Sequence, residues 1–252
     1  MRPESLKNLN RIEFVITLAC TGKCKHCSQG AHIAGGSCIR HAAAVDVVRR
    51  LAEQYDMESL MTFGGEPLLY WETVCKIHAA AREAGIPKRQ LITNGYFTKD
   101  INLIHTAVRA LKQHGVNAVA LSVDAFHQET IPLTVVKEFA ETVQSEGINI
   151  RTHPAWLVSS EDDNCYNEKT REILGEFERM GIGVSSGNII FPSGNALVYL
   201  KEFFDEKNPV VNPYTEDPND IRAICIGPDG DVLGGNIYRT DISEILEKYV
   251  PE

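Results

Sequence analysis

The chain has 252 residues, 43% hydrophobic and 23% charged, an ordinary globular balance that allows one large α/β barrel-type domain or two small ones. A formal net charge of −9 without any Lys/Arg block argues against a nucleic-acid footprint, and apolar runs of strand length argue against a membrane span. The start, Met1-Arg-Pro-Glu-Ser-Leu-Lys-Asn8, lacks the apolar stretch of a signal peptide, so the seven cysteines are expected to be thiols of a cytoplasmic protein, not a disulfide framework.

The first predicted element is a buried strand, Ile12-Glu-Phe-Val-Ile-Thr-Leu18. It delivers Cys20-Thr-Gly-Lys-Cys24-Lys-His-Cys27, three thiols on one short loop. Three thiolates leaving one strand end can converge on a metal centre. Four cysteines fill an ordinary Fe–S cube, whereas three leave one iron open for chemistry. Two other readings stand beside this one: a structural zinc site with His26 as fourth ligand, crowded on so short a loop, and unrelated thiols.

Residues 28–37, with Gly30, Gly35 and Gly36, read as a loop with Cys38 just beyond it. A helix is predicted over 41–55, with Ala44, Val47, Val48, Leu51 and Tyr55 at helical steps. A strand over 59–63 runs into Gly64-Gly65-Glu66-Pro67, and a helix over 71–84 stops at Gly85, with Cys75 expected to be buried in it. The strand 90–93 ends in Asn94-Gly95, and the helix 101–114 stops at Gly115. The strand 117–123 has Asp124 at its end. Pro132 is expected in the first turn of a helix that carries Val135, Val136, Phe139 and Val143 and stops at Gly147. A strand over 148–152, a helix over 168–180 and a strand-like run over 182–191, broken by Gly187, follow. Six strands, with a helix after each of the first five, predict parallel pairing in an α/β fold.

In such folds the working residues lie at the carboxyl ends of strands. Here those positions hold Cys20, Cys24 and Cys27, Gly64 to Pro67, Asn94-Gly95, Ser122 and Asp124, His153, and Pro192-Ser193-Gly194-Asn195. Asn94-Gly95 alone is a turn signal, but the set beside the cysteine loop is more than turns require. Residues 205–220, rich in Pro, Asn and acids, read as a linker. Residues 222–226 and 231–233 around Gly227-Pro-Asp-Gly230 read as a hairpin, and Asp241 caps a last helix carrying Ile245, Leu246 and Tyr249. The expected division is a barrel over 1–204 and a linker with a small hairpin-plus-helix appendage over 205–252.

Cys20-x3-Cys24-x2-Cys27, with His26 before the last cysteine, resembles the signature of the radical S-adenosylmethionine (radical SAM) superfamily. Gly64-Gly65-Glu66-Pro67 resembles its methionine-binding motif, and Thr93-Asn94-Gly95 and Ser122-x-Asp124 fall where that family places further cofactor contacts. The resemblance covers about residues 10–200. It implies a partial (β/α)6 TIM-like barrel with one 4Fe–4S cluster on Cys20, Cys24 and Cys27, and S-adenosylmethionine bound to the fourth iron. It also implies the chemistry: reductive cleavage of S-adenosylmethionine to a 5′-deoxyadenosyl radical that abstracts hydrogen from an organic substrate.

The resemblance assigns roles as well. Gly64 and Gly65, followed by Pro67, would offer backbone carbonyls to the amino group, and Glu66 would support that cation. Ser122 and Asp124 would bond the ribose, His26 would touch the adenine, and Arg151 or Lys23 would pair the carboxylate. Ser193 and Gly194 lie in a loop that resembles one near the adenine in peptide-modifying members.

The stretch from Cys225 resembles the start of the C-terminal extension of those members. It departs from it because Gly234 stands where a second cysteine would follow, so one cluster is expected. Cys225 is then either a hydrogen donor, as in radical epimerases, or a packing residue; Cys38 and Cys165 have no assigned role. Phe126 and His127 are candidates to face substrate, or belong with Glu129 to a loop before a helix. The implied partners are a reductant such as flavodoxin or ferredoxin, and a substrate that is first a peptide or protein side chain and second a small metabolite. A non-enzymatic electron- or cluster-transfer protein is the alternative class, which would have no use for Gly64 to Pro67.

Overall fold

The computed structural model describes residues 3–30, 36–205, 207 and 210–251. Part of the predicted 28–37 loop (31–35) and part of the predicted linker (206, 208, 209) lie outside the described residues. In chain order the strands and helices are β1 (Arg11–Val15), α1 (His41–Gln54), β2 (Ser59–Phe63), α2 (Trp71–Glu83), β3 (Lys88–Thr93), α3 (Ile101–Gln113), β4 (Ala118–Leu121), α4 (Ala125–Gln128), α5 (Leu133–Ser145), β5 (Asn149–Thr152), β6 (Ala155–Trp156), α6 (Cys165–Arg179), β7 (Gly183–Val184), β8 (Asn188–Ile189), α7 (Ala196–Tyr199), β9 (Ala223–Ile226), β10 (Asp231–Val232), β11 (Gly235–Asn236) and α8 (Ile242–Glu247).

Seven strands form one sheet in the order β7-β5-β4-β3-β2-β1-β9, and every pairing in it is parallel. Side chains alternate across a strand, so the sheet has two unlike faces. Ile12, Phe14, Leu60, Leu91, Val119, Leu121, Ile150, Ile224 and Ile226 share a core with the apolar stripes of the helices, such as Val47, Val48 and Leu51 of α1. The opposite, inner face carries Arg11, Glu13, Met61, Gln90, Ala120, Arg151 and Cys225 by register. The sheet does not close, since β7 and β9 are its edges. This is the open α/β barrel that the sequence predicts. Among the described residues no helix is long and apolar enough to cross a membrane.

The tail departs from expectation. Residues 222–226 and 231–233 do not pair as a hairpin. The turn at Gly227–Gly230 forms, but Ala223–Ile226 joins the main sheet beside β1, and the hairpin is the short pair β10–β11. The physical reason is burial: Ile224 and Ile226 fill the core below β1, which a two-stranded hairpin could not offer them. Smaller corrections follow the same logic. Pro132 precedes α5 as its N-cap instead of lying in the first turn. The helix predicted from 168 begins at Cys165, because the Asn164 side chain accepts from Asn167 N. The run 182–191 splits into β7 in the main sheet and β8, which pairs with β6 in a second small sheet.

α8 is capped by Asp241 and docks on α1 through Arg50–Asp241 (2.7 Å) and Gln54 Nε2 to Ser243 Oγ (2.6 Å). If β9 is integral to the core, Ile224→Ala should cost about 2–5 kcal/mol in denaturant unfolding of the whole chain. A loss below about 1 kcal/mol would show that the strand contributes little.

Candidate active site

All parallel strands end at one rim, and the cysteine loop crosses it from β1. Two backbone hydrogen bonds fasten the exit of β1 to the turn after β2: Gly65 N to Thr17 O (2.7 Å) and Glu66 N to Ala19 O (2.8 Å). A Cβ on Gly65 would lie 2.2 Å from Ala19 O, and one on Gly64, whose φ is +141°, would lie 2.4 Å from Thr17 O. Glycine is therefore demanded by backbone contact at both positions. Pro67 then opens a 3-10 turn over 67–70 that leads into α2.

The Glu66 side chain is fully buried. Oε1 accepts from Leu68 N (2.9 Å) and Thr93 Oγ1 (2.7 Å), and Oε2 accepts from Asn94 N (2.9 Å). Burial pushes its carboxyl up to about 7, against the pull of those hydrogen bonds. In this structure Glu66 joins the ends of β2 and β3 and presents no carboxylate oxygen to the rim. Asn94 continues the link, with Nδ2 near Cys20 Sγ (3.6 Å) and Thr21 Oγ1 (3.3 Å).

All seven cysteines are free thiols. Cys24 is buried, and Cys20 and Cys27 are half-buried. Burial pushes the Cys20 thiol up to about 11 and Cys24 higher still, so binding a metal there would release protons. Gly22 N donates to Cys20 Sγ at 3.3 Å. From the far side of the barrel, Asn195 N donates to Cys27 O (2.9 Å), Asn195 Nδ2 to Cys24 O (3.0 Å) and Ser193 Oγ to Ser28 O (3.2 Å). A Cβ on Gly194 would meet Cys27 O and Ser28 O at 2.5 Å. Ser193 and Gly194 thus pack on the cysteine loop, and Asn195, which the sequence offered only as a turn former, is its latch.

His26 lies with its ring 5.1 Å from Phe126 and edge-on to His127 at 4.8 Å, and Phe126 stacks on Tyr166 at 4.5 Å. Tyr166 was invisible to sequence reasoning, because an aromatic on an amphipathic helix carries no motif. Burial holds the His26 imidazole down at about 4, and its buried Nδ1 has no hydrogen-bond partner among the described residues. Asp124 is fully buried: Oδ1 accepts from His127 N (3.0 Å), and Oδ2 accepts from His127 Nδ1 (2.8 Å) and Ala155 N (3.0 Å). Burial would raise its carboxyl, but His127 beside it, by charge and hydrogen bonding, holds it well below the usual carboxylate range. Asp124 therefore positions His127 here.

Ser122 and Arg151 share the inner face. Ser122 N donates to Thr93 O (2.8 Å), and the exposed Arg151 side chain makes no hydrogen bond or ion pair among the described residues. Lys23 is exposed, and Glu129 pairs with Lys25 at 2.9 Å. Cys225 is exposed on the inner face, beside Glu13 by register. Among the described residues, Cys24, His26 and His127 offer ligand atoms within 4.8 Å of one another. Cys20 and Cys27 are not in that group, which is not the thiol-rich quartet of a structural zinc site. Three thiols at a rim, two of them desolvated, and an orphaned buried His26 nitrogen fit a cluster and cofactor held against this loop.

An open parallel barrel with a three-thiol loop on its carboxyl rim defines an α/β protein whose candidate site lies at that loop. The sequence profile described as the Radical SAM superfamily matches residues 14–205, and the chain belongs to that superfamily of enzymes. Over 202 residues it is 25% identical to a probable GTP 3′,8-cyclase of Saccharolobus islandicus (strain L.S.2.15 / Lassen #1), covering 78% of this chain and 62% of that protein. The chain thus spans about three-fifths of the length of that curated relative. In fold it is similar to native anSMEcpe with bound AdoMet (TM-score 0.63, 17% identity, 95% of this chain and 80% of that one). It is also similar to Streptococcus suis SuiB bound to precursor peptide SuiA (TM-score 0.61, 13% identity, 97% and 65%).

Gly65→Ala should displace the cysteine loop. The expected result is a loss of about 1–3 kcal/mol in stability and a lower iron content per chain after anaerobic loading, measured by denaturant unfolding and iron assay. Unchanged iron content would remove the clasp from the account. The raised Glu66 pKa also fixes a pH dependence. In the folded protein the carboxyl holds its proton up to about 7, and in the unfolded chain only to its ordinary value, so its contribution is full below that ordinary value and is lost as pH rises through about 7. Glu66→Gln should be about 1–3 kcal/mol less stable at acidic pH, because its amide would face donors, and the gap should narrow as pH rises through that window. A pH-independent gap in urea unfolding would contradict the assignment.

Proposed function

We propose that this chain binds one 4Fe–4S cluster through Cys20, Cys24 and Cys27, binds S-adenosylmethionine beside it, and acts on an organic substrate in the barrel interior. The observation that carries this reading is the clasp that holds the three-thiol loop on the rim through Gly65 and Glu66, within the segment matched by the superfamily. The group, when bound, supplies reductive cleavage of S-adenosylmethionine and a 5′-deoxyadenosyl radical for hydrogen abstraction. The chain's residues bind, orient and exclude water.

The Gly64 and Gly65 carbonyls are the acceptors offered to an amino group, with Glu66 stiffening the turn from behind. Arg151, whose side chain has no partner among the described residues, is suited to the cofactor carboxylate, and Ser122 to a hydroxyl. His26, backed by the fully buried Phe126, offers a ring against which an adenine can lie, and Asp124 holds His127 beside it. Thr93 and Asn94 tie the Glu66 turn to the cysteine loop. Cys225 faces the interior from the opposite edge of β1, a position from which a thiol could return a hydrogen atom to a substrate carbon.

A peptide or protein side chain is the favoured substrate, supported by fold likeness over nearly the whole chain to a protein solved with its precursor peptide. A small metabolite is the second reading, because the curated relatives are named as GTP 3′,8-cyclases. A low-potential donor such as flavodoxin or ferredoxin in a reducing cytoplasm completes the scheme. The test is anaerobic: the loaded, reduced protein should form 5′-deoxyadenosine from S-adenosylmethionine, and Cys24→Ala should form none above background. A brown, fully loaded protein that neither binds nor cleaves S-adenosylmethionine would replace this reading with electron or cluster transfer.

A further inference from the structure

The inner face carries a charged pair that the cofactor reading does not use. Arg11, Glu13 and Val15 alternate along β1 on that face, below the cysteine loop. Register sets Glu13 between Met61 of β2 and Cys225 of β9. Glu13 Oε1 pairs with Arg11, whose Nη2 also reaches Met61 Sδ at 3.9 Å. Glu13 Oε2 has no hydrogen-bond partner among the described residues, although only 15% of the side chain is exposed. That oxygen is not among the buried polar atoms left without a partner, so solvent reaches it and something that donates a hydrogen bond can take the water's place.

Vertical order decides what that is. Inner-face residues on one strand stand roughly 6.6 Å apart along the strand direction. The cations Arg11 and Lys88 share the lowest layer, by register through Ser59. Glu13 and Cys225 share the layer above. Arg151 stands a further layer up, on β5, four strands from β1. Burial pushes the Glu13 carboxyl up against the pull of Arg11, with a smaller push from Glu216, and Tyr214, whose hydroxyl accepts from Asn188, is also close enough to be felt. A molecule entering from the rim beside β1 meets Glu13 before Arg11, and meets Cys225 at the same level.

We propose that Glu13 is the specificity-determining residue of this barrel and selects a substrate bearing a cationic nitrogen, an ammonium or guanidinium, which it holds beside Cys225. The proposal rests on the reading that substrate occupies the barrel interior. It names a substrate class where that reading names only an organic molecule. The nitrogen could sit on a peptide or on a small amine, and the chemistry recognised is the same.

Cys225 itself is the reporter. Cluster-loaded protein, kept anaerobic and without S-adenosylmethionine, is treated at mildly alkaline pH with a cationic reagent, 2-aminoethyl methanethiosulfonate, or an anionic one, 2-sulfonatoethyl methanethiosulfonate. The rate at Cys225 is read by peptide mapping, with exposed Cys165 as internal reference. The expected cation-to-anion rate ratio at Cys225 is about tenfold higher in the wild type than in Glu13→Gln, with no change at Cys165. Arg11→Met, which removes the counter-ion, should raise the ratio further. An equal ratio in wild type and Glu13→Gln overturns the proposal.

Two competing probes separate the sources. Protection of Cys225 by Gly-Lys-Gly at lower concentration than butylamine places the nitrogen on a peptide, and the reverse order places it on a small amine. Either order supports the proposal. Equal protection by the tripeptide acetylated at both its N-terminus and its lysine, which leaves no cationic nitrogen, overturns it. None of these readouts depends on S-adenosylmethionine cleavage, so failure of the radical chemistry and failure of Glu13 are separately visible.

Discussion

Two backbone hydrogen bonds, from Gly65 N and Glu66 N to the carbonyls of Thr17 and Ala19, set the rest of the rim. They bring the exit of β1 so close to the turn after β2 that neither Gly64 nor Gly65 has room for a Cβ. The cysteine loop starts from that fixed point. Glu66 carries the constraint inward to Thr93 and Asn94, and Asn94 returns it to Cys20 and Thr21. On the other side Asn195 and Ser193 hold the end of the same loop. The three-thiol loop is thus held at both ends by elements from opposite sides of the barrel.

Behind this clasp the sheet divides labour by face. One face is an ordinary apolar core against the helices. The other holds charges and a thiol that no packing scheme would select, including Arg151, the Arg11–Glu13 pair and Cys225. Arg151 and Cys225 are exposed on this face, and Ile224 and Ile226 let the tail contribute Cys225 to it while filling the core on the reverse.

The fold was largely legible in the sequence. The 59–63 strand, the glycine stops after the helices and the row of polar strand ends all follow from local periodicity and turn chemistry, and the structure places them as read. What was not legible depends on long-range partners. Gly227-Pro-Asp-Gly230 announces a turn, but nothing local says that its first arm pairs with β1, more than two hundred residues earlier, instead of with its second arm. Glu66 and Asp124 were singled out by position, yet their burial and their partners Leu68, Thr93, Asn94, His127 and Ala155 could not be seen from spacing. The latch at Asn195 and the stack of Tyr166 on Phe126 were likewise hidden, since each needs a neighbour far away in the chain.

The central claim is that three thiols hold a cluster with one iron left for S-adenosylmethionine. The most direct measurement is electron paramagnetic resonance of the reduced, iron-loaded protein before and after adding S-adenosylmethionine, with iron and sulfide counted in the same sample. The account predicts about four irons per chain and a spectrum that changes when S-adenosylmethionine is added. A reduced cluster whose spectrum is indifferent to S-adenosylmethionine, or a colourless protein that retains zinc and excludes iron, would contradict it.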